Sequence, residues 1–263
     1  MRAVRVLAGQ NMVSYRVPQS LIIKESYPLP PYSTVIGMVH AACGFTEYVP
    51  MQVSIQGDFA SSVQEMYTRY EFGKKTKYEA GRHNVKLHGE DCDFGMTRGP
   101  GSIELLTDVR LILHIIPEED AMCETIKRGL QEPKNYLNLG RWEDLLRIDD
   151  VCITELQKIT LEDEETTEDG LSLRCSAWIP ENIKKEISEK AEIGTLGTIY
   201  RLHKRFDKTS ADKPRNWLET VTAHYAGRGT QISEDADLLV DKAPIALDDM
   251  PYFNEKVIPV FPA

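Results

Sequence analysis

The sequence predicts an α+β protein. Three observations carry this: short stretches in which apolar residues alternate with period two, two helical apolar stripes set between them, and the order of these elements along the first 160 residues. With 263 residues, 41% of them hydrophobic, the chain can bury one large core or two small ones.

Each element has its own justification. Arg2 to Gly9 sets Ala3, Val4, Val6 and Leu7 among arginines and reads as a first strand. Asn11 to Pro31, rich in Pro, Ser and Tyr, reads as a long loop of the kind that often carries function. The stretch "YPLPPYSTVIGMVHAACG", Tyr27 to Gly44, then presses three prolines against a helix start. Ser33 suits its N-cap, Val35, Ile36, Val39, Ala42 and Cys43 form its apolar stripe, and Gly44 suits a left-handed stop. Gly37, Ala41 and Ala42 are small enough to let that helix lie close against a sheet. Met51 to Phe59 alternates as a second strand. Tyr67 to Gly101 lacks a core pattern; basic, aromatic and punctuated by glycine, it reads as a protruding hairpin. Ile103 to Ile116 returns to strand character. Pro117 with Glu118, Glu119 and Asp120 opens a second helix, with Met122, Ile126 and Leu130 on one face. Asn138 to Ile148 reads as a short turn and helix, and Val151 to Ile159 as a fourth strand.

Strand, helix, strand, insertion, strand, helix, strand is the βαββαβ order of a ferredoxin-like sheet, the layout that RNA-recognition modules use. The RNP1 pattern of those modules is missing, so bases are not expected to stack on the sheet itself. The predicted division is a domain at 1–160 with its insertion at about 67–101, an acidic linker at 161–170, and a smaller, mostly β carboxy-terminal region at 171–263. In that last region Ile183, Ile187 and Ala191 fit a helix after Pro180, and Thr220 to Tyr225 and Lys256 to Phe261 fit strands.

A net charge of −10 and a pI near 5.2 argue, taken whole, against a nucleic-acid partner. The charge is segregated, however. Met66 to His88 and Arg201 to Arg215 each carry a net +4, whereas Glu155 to Asp169 carries −6. An anionic partner therefore stays open. No run approaches the roughly 18 apolar residues of a membrane span, and the amino end lacks an apolar secretory stretch, so a cytoplasmic location is expected. The five cysteines, Cys43, Cys92, Cys123, Cys152 and Cys175, form no CxxC pair; no zinc site, disulfide framework or cofactor is expected. HExxH, P-loop and GxSxG motifs do not occur.

"YPLPPYSTVIGMVHAACG", the basic insertion and "YLNLGRWEDLLRI" together resemble the Cas-five family, the RAMP-type subunit of CRISPR Cascade complexes, and most closely its type I-B branch. The resemblance covers most of the first 160 residues. It implies a ferredoxin-like core with a β-hairpin thumb, acting as a non-catalytic subunit that binds the 5′ handle of the guide crRNA and caps the foot of the backbone filament. The implied partners are the crRNA handle, the Cas-seven backbone subunit and the Cas-eight large subunit, with target DNA met only indirectly through the complex.

On this reading the RNA-binding candidates are Arg16, Lys24 and Tyr27 in the first loop and Tyr32 and Ser33 at the helix start. Lys74, Lys75, Lys77, Tyr78, Arg82, His83 and Lys86 are the candidates on the thumb. Clustered cations neutralise phosphates. Tyr70, Phe72, Tyr78 and His83 can stack on unpaired bases for roughly 1–3 kcal/mol each. A helix N-terminus with hydroxyls beside it suits a phosphate. Arg141 is expected to lock a turn with Glu143 or Asp144, and Trp142, His40 and His114 to lie in the core. His203 and His224 have no evident partners. Two alternatives stand beside this reading. One is a metal-independent endoribonuclease of repeat RNA like the type I-C branch, which cuts with a tyrosine, a lysine and a histidine; Tyr78, Arg82, His83, Lys86 and His88 are its candidates. The other is a structural assembly protein without direct RNA contact. The Arg201 to Arg215 run is a weaker candidate for a second RNA or protein surface.

Overall fold

β1 (Arg2–Val13) runs four residues past the expected strand, and of these Gln10 and Val13 are buried while Asn11 and Met12 are exposed. The Gln10 amide donates to the carbonyls of Leu139 and Asp144 at 2.8 and 3.1 Å, and its Oε1 accepts the Tyr15 hydroxyl at 2.7 Å. The computed structural model describes residues 1–161, 171–207, 215–245 and 257–263, with the backbone alone at Lys74 and Lys75. After β1 come α1 (Tyr32–Cys43), β2 (Met51–Asp58), β3 (Ser61–Lys77), β4 (Val85–His88), β5 (Asp93–Pro117), α2 (Met122–Gln131) and β6 (Arg147–Thr160). The carboxy-terminal part supplies β7 (Leu171–Ser172), β8 (Ser176–Pro180), α3 (Glu181–Ser188), β9 (Ile199–Asp207), β10 (Asn216–Ala226), β11 (Gln231–Ile232), β12 (Asp237–Asp241) and β13 (Ile258–Val260).

The main sheet is antiparallel, in the order β13-β12-β6-β1-β5-β2-β8-β10-β9. Its four central strands all come from the first 160 residues. The carboxy-terminal strands extend both edges of that centre, β12 and β13 beside β6 and β8, β10 and β9 beside β2. From residue 162 on, the expected acidic linker lies outside the described residues, as does Lys256 of the expected last strand.

Period-two alternation splits the central strands between two cores. Val4, Val6 and Ala8 with Leu111, Leu113 and Ile115 face α1 and α2, meeting Val35, Val39, Ile126 and Leu130. Leu7, Ile112 and Ile116 face the other way, against Cys175 and Val260. That second face also buries a charged cluster. The Arg5 guanidinium donates to Asp241 Oδ2 at 2.9 Å and to the carbonyls of Ala243 and Pro244 at 2.7 and 2.9 Å. Asp241 further accepts the Thr154 hydroxyl and the Ala243 amide, and lies 3.1 Å from His114 Nε2. Burial raises the Asp241 pKa, but the hydrogen bonds from His114, Thr154 and Ala243 outweigh it and bring the value down to about 2. Burial pushes the His114 pKa down despite Asp241, so the imidazole is neutral in the core.

Three local expectations need correction. Pro31, not Ser33, is the N-cap of α1; it makes no side-chain cap bond, and Ser33 lies within the first turn. Gly37 and Ala41 are exposed on the outer side of α1; the close helix contact is made at Gly129 of α2, where a Cβ would lie 2.8 Å from Cys43 Sγ. Gly44 does stop α1, at φ 70°. Residues 138–145 form a bridged turn, Asn138 opposite Leu145, and no helix. The buried Asp144 carboxylate accounts for this by accepting the amides of Ser14 and Arg141 at 3.1 and 2.8 Å, which competes with a helical path. No described helix is long and apolar enough to cross a membrane.

Candidate nucleic-acid interface

β3 pairs with β5 from Ser61 opposite Thr107 to Lys77 opposite Phe94, and β4 pairs with the first residues of β5. β2 ends at Asp58 opposite Arg110, so the β3–β5 ribbon continues past the end of β2. Its sequence cannot fill a core, since cations and rings alternate with glycines. Met66, Tyr70 and Phe72, spaced by even numbers on one side of β3, are 77%, 53% and 74% exposed.

Tyr67, Arg69 and Glu71 take the other side, where the first loop docks. Arg16 bridges Ser26, the Ser26 amide donates to Glu104 Oε2 at 2.9 Å, and the Glu104 amide donates to the Lys24 carbonyl at 3.2 Å. This sets Lys24 Nζ 4.5 Å over the Tyr67 ring. Partial burial, then the positive charges of Arg16, Arg69 and Arg141, push the Lys24 pKa down, with Glu71 opposing. Four cations from three separate segments thus converge at the root of the ribbon. Arg141 is held there through the Gly140 turn, at φ 116°, and through contacts of 3.1 and 2.7 Å from its guanidinium to Asp144. Carboxylates lie among these cations: Glu71 pairs with Arg69 at 3.1 Å, and Glu143 and Asp144 pair with Arg141 at 3.1 and 2.7 Å.

The ribbon tip is tied by its own bonds. His83 is buried against Gly95, whose Cβ, if present, would lie 2.3 Å from Nδ1. The same nitrogen accepts the Glu79 amide at 3.0 Å. Tyr78 lies 6.1 Å from the His83 ring, and Lys86 Nζ lies 5.3 Å from the Tyr78 ring. Lys86 and His88 both reach Asp93 at 2.8 Å, and Arg82 pairs with Glu79 at 3.3 Å. The five nuclease candidates therefore do gather at the tip, though mostly through contacts that hold the turn.

The remaining site residues divide. Lys77 is exposed on the ribbon, and the side chains of Lys74 and Lys75 lie outside the described residues. Arg16 is exposed and Ser33 half-buried. Tyr27 and Tyr32 are core residues instead: Tyr27 packs edge-on to Tyr200 at 5.6 Å, and the Tyr32 ring and hydroxyl are enclosed. The proline approach serves that packing, since the Trp178 indole donates to the Pro30 carbonyl at 3.0 Å. Trp142, expected in the core, is 88% exposed, because Leu139 and Asp144 take the inward positions of its turn. His114 is core as expected, whereas His40 is half-buried beside Phe45 and Tyr48. His203 and His224 do have partners, Trp217 and Glu181. Arg69 and Tyr67 are the residues of the ribbon root that sequence reasoning did not single out; period two along β3, with Lys24 opposite, is the signal that marks them. Among the described residues no group of three or more His, Cys, Asp and Glu side chains gathers to hold a metal ion.

Among the described residues, an antiparallel sheet with three helices and a cationic ribbon makes this an α+β protein. The family described as "CRISPR-associated protein (Cas_Cas5)" matches residues 7–228, and the chain belongs to it. Among solved structures it is similar to a chain of a CRISPR RNA-guided surveillance complex, at 16% identity and a TM-score of 0.50 over 86% of this chain and 90% of that one. A CRISPR protein from Archaeoglobus fulgidus aligns at 11% identity and a TM-score of 0.42 over 92% and 96% of the two chains. A chain of a Type III-B Cmr-beta structure bound to cognate target RNA aligns at 14% identity and a TM-score of 0.40 over 88% and 86%. No curated protein matches.

Proposed function

We propose that this protein is a non-catalytic subunit of a type I-B-like Cascade surveillance complex, binding the 5′ handle of the crRNA and capping the foot of the backbone filament. The β3–β5 ribbon is then the thumb, residues 1–160 the ferredoxin-like unit that carries it, and 171–263 the smaller region. The observation that carries the reading is the convergence of Lys24, Arg16, Arg69 and Arg141 at the root of a ribbon that exposes Tyr70 and Phe72. Phosphates would sit at the root and unpaired bases against the rings. The Cas-seven and Cas-eight subunits are the proposed protein neighbours, target DNA is met through the complex, and the setting is the cytoplasm.

Repeat RNA cleavage is the second reading, favoured by the gathering of Tyr78, His83 and Lys86 at the tip. Against it, His83 is enclosed with Nδ1 already accepting an amide, and Lys86 is engaged by Asp93. A general base needs reach to the proton it removes. The test is end-labelled CRISPR repeat RNA incubated with the protein in EDTA, run on denaturing and native gels. Intact RNA that shifts, less so as salt rises and far more weakly with K74E/K75E/K77E, is expected. A clean cut lost in H83A or Y78F would transfer the assignment to the nuclease. Intact, unshifted RNA would leave the assembly role without direct RNA contact. Each lysine on a single-strand phosphate should contribute about 0.7 to the salt slope.

A further inference from the structure

A second ribbon leaves the sheet at the opposite end. Ala226 of β10 pairs with Ala177 of β8, which pairs with Gln56 near the end of β2, so the β10 end at Ala226 lies towards the first ribbon. The other end of β10, where Asn216 pairs with Asp207 of β9, points the other way. Lys204, Arg205 and Glu219 accordingly share a recess with Tyr48, Met51 and Pro117, at the far end of β2 and β5.

This second ribbon carries an ordered stack. The His203 and Trp217 rings lie parallel, 4.0 Å apart at 9°, and Phe206 meets Trp217 edge-on at 5.5 Å. The Arg215 guanidinium lies 4.7 Å over Phe206 and 6.0 Å from the centre of Trp217. Arg201, two residues before His203 on the same side of the strand, donates to the Thr220 hydroxyl at 3.3 Å. Burial and the Arg201 charge hold the His203 pKa down, so a neutral imidazole stacks on the indole. Lys204 and Arg205 share Glu219 at 3.9 and 3.4 Å, but among the described residues no carboxylate pairs with Arg201 or Arg215.

We propose that the β9–β10 ribbon is a second nucleic-acid contact, taking the phosphodiester backbone of a strand segment separate from the one on the β3–β5 ribbon. A guanidinium already ordered against rings has little freedom left to lose on binding, and its planar fork matches a phosphate better than a point charge does. The rings are occupied by one another and by Arg215, so they hold the cation rather than read bases, and binding should be indifferent to sequence. Arg201 and Arg215 bracket a track of six strand residues, roughly 20 Å. The inference goes beyond handle binding and rests on none of its residues.

The test uses the full chain carrying K24E/R69E together with K74E/K75E/K77E, which reverses cations at both the root and the ribbon of the first site, and fluorescence anisotropy with labelled single-stranded RNA and DNA of mixed sequence. Two phosphates on a single strand give a salt slope near −1.4, a roughly sevenfold loss of affinity between 50 and 200 mM salt. That residual binding is expected, and R201E/R215E should remove it, while R201Q/R215Q guards against misfolding of the reversed variant. R201E/R215E in the otherwise natural chain should leave the handle shift of the first ribbon intact, which separates the two assignments. Tighter RNA binding would identify a guide strand as the occupant, and tighter DNA binding a target strand. Absence of residual binding, or residual binding unchanged by both pairs of substitutions, would overturn the proposal and leave the ribbon as a surface for an acidic protein.

Discussion

Replacing Asp241 by Asn removes one charge from a place where its partner cannot reach water. Arg5 and Asp241 are both fully buried or nearly so, and Asp241 alone gathers Arg5, Thr154, His114 and the Ala243 amide. Asparagine keeps the shape but turns one acceptor into a donor facing other donors. Breaking one side of a buried pair costs about 3–5 kcal/mol. At about 2–4 °C per kcal/mol for a chain near this size, the melting point should fall by roughly 6–20 °C. The pH dependence has a definite sign. A carboxylate held near 2, below its ordinary value of 3.8, contributes stability that is present above that ordinary value and lost as pH falls through about 2. The wild-type advantage should therefore be flat above pH 5 and shrink below pH 4. Melts of wild type, D241N, R5M and the double variant at pH 7 form a cycle, in which the double variant should lose less than the sum of the singles by about 0.5–3 kcal/mol. A shift under 2 °C in D241N, or strictly additive losses, would refute the reasoning.

Three further outcomes can be checked on the same protein. His114 is neutral when folded but protonates near pH 6.5 when unfolded, so stability should fall below about pH 6.5 by up to roughly 1.4 kcal/mol per pH unit, with His203 acting in the same direction. Urea midpoints at pH 7.5 and 5.5 measure this; a flat profile contradicts it, and H114Q should flatten the wild-type one. G95A should push His83 out of its seat and expose the ribbon tip to early proteolysis between residues 78 and 92, with the global melt nearly unchanged; an intact tip under protease would count against the seat. W142A should alter stability by no more than about 0.5 kcal/mol, whereas L139A, three residues earlier in the same turn but enclosed, should cost about 2–5 kcal/mol. Equal effects from the two would contradict the orientation of that turn.

The strands and both helices of the central sheet were legible from periodicity, because Val4, Val6, Val53, Ile55, Ile126 and Leu130 announce their faces. What misled was polar burial. Gln10 looks like loop, yet it closes a buried network with Tyr15, Leu139 and Asp144. Asp144 looks like a surface acid in a helix, yet it is the acceptor that makes 138–145 a turn. Tyr27 stands in the loop before α1 and Tyr32 at its start, where a hydroxyl could reach a phosphate, but Tyr27 packs against Tyr200 and Tyr32 lies within the core. For the interface, the number of cations on the ribbon was legible. The meeting of Lys24, Arg69 and Arg141 was not, since each stands in a different segment and only the docking of the first loop brings them together.

The sheet's two flanks also bear on how the chain is made. Arg5 is synthesised 236 residues before its counter-ion. At about 5–20 residues per second, the roughly 100 residues after β6 take about 5–20 s to appear. During that interval β2 and β6 have no outer neighbours and Arg5 has no anion. Synthesis therefore leaves a half-finished sheet with two open edges waiting for its own tail. Chaperone occupancy should peak in that window, and a chain stopped near residue 160 should be found in inclusion bodies even though its central strands are complete.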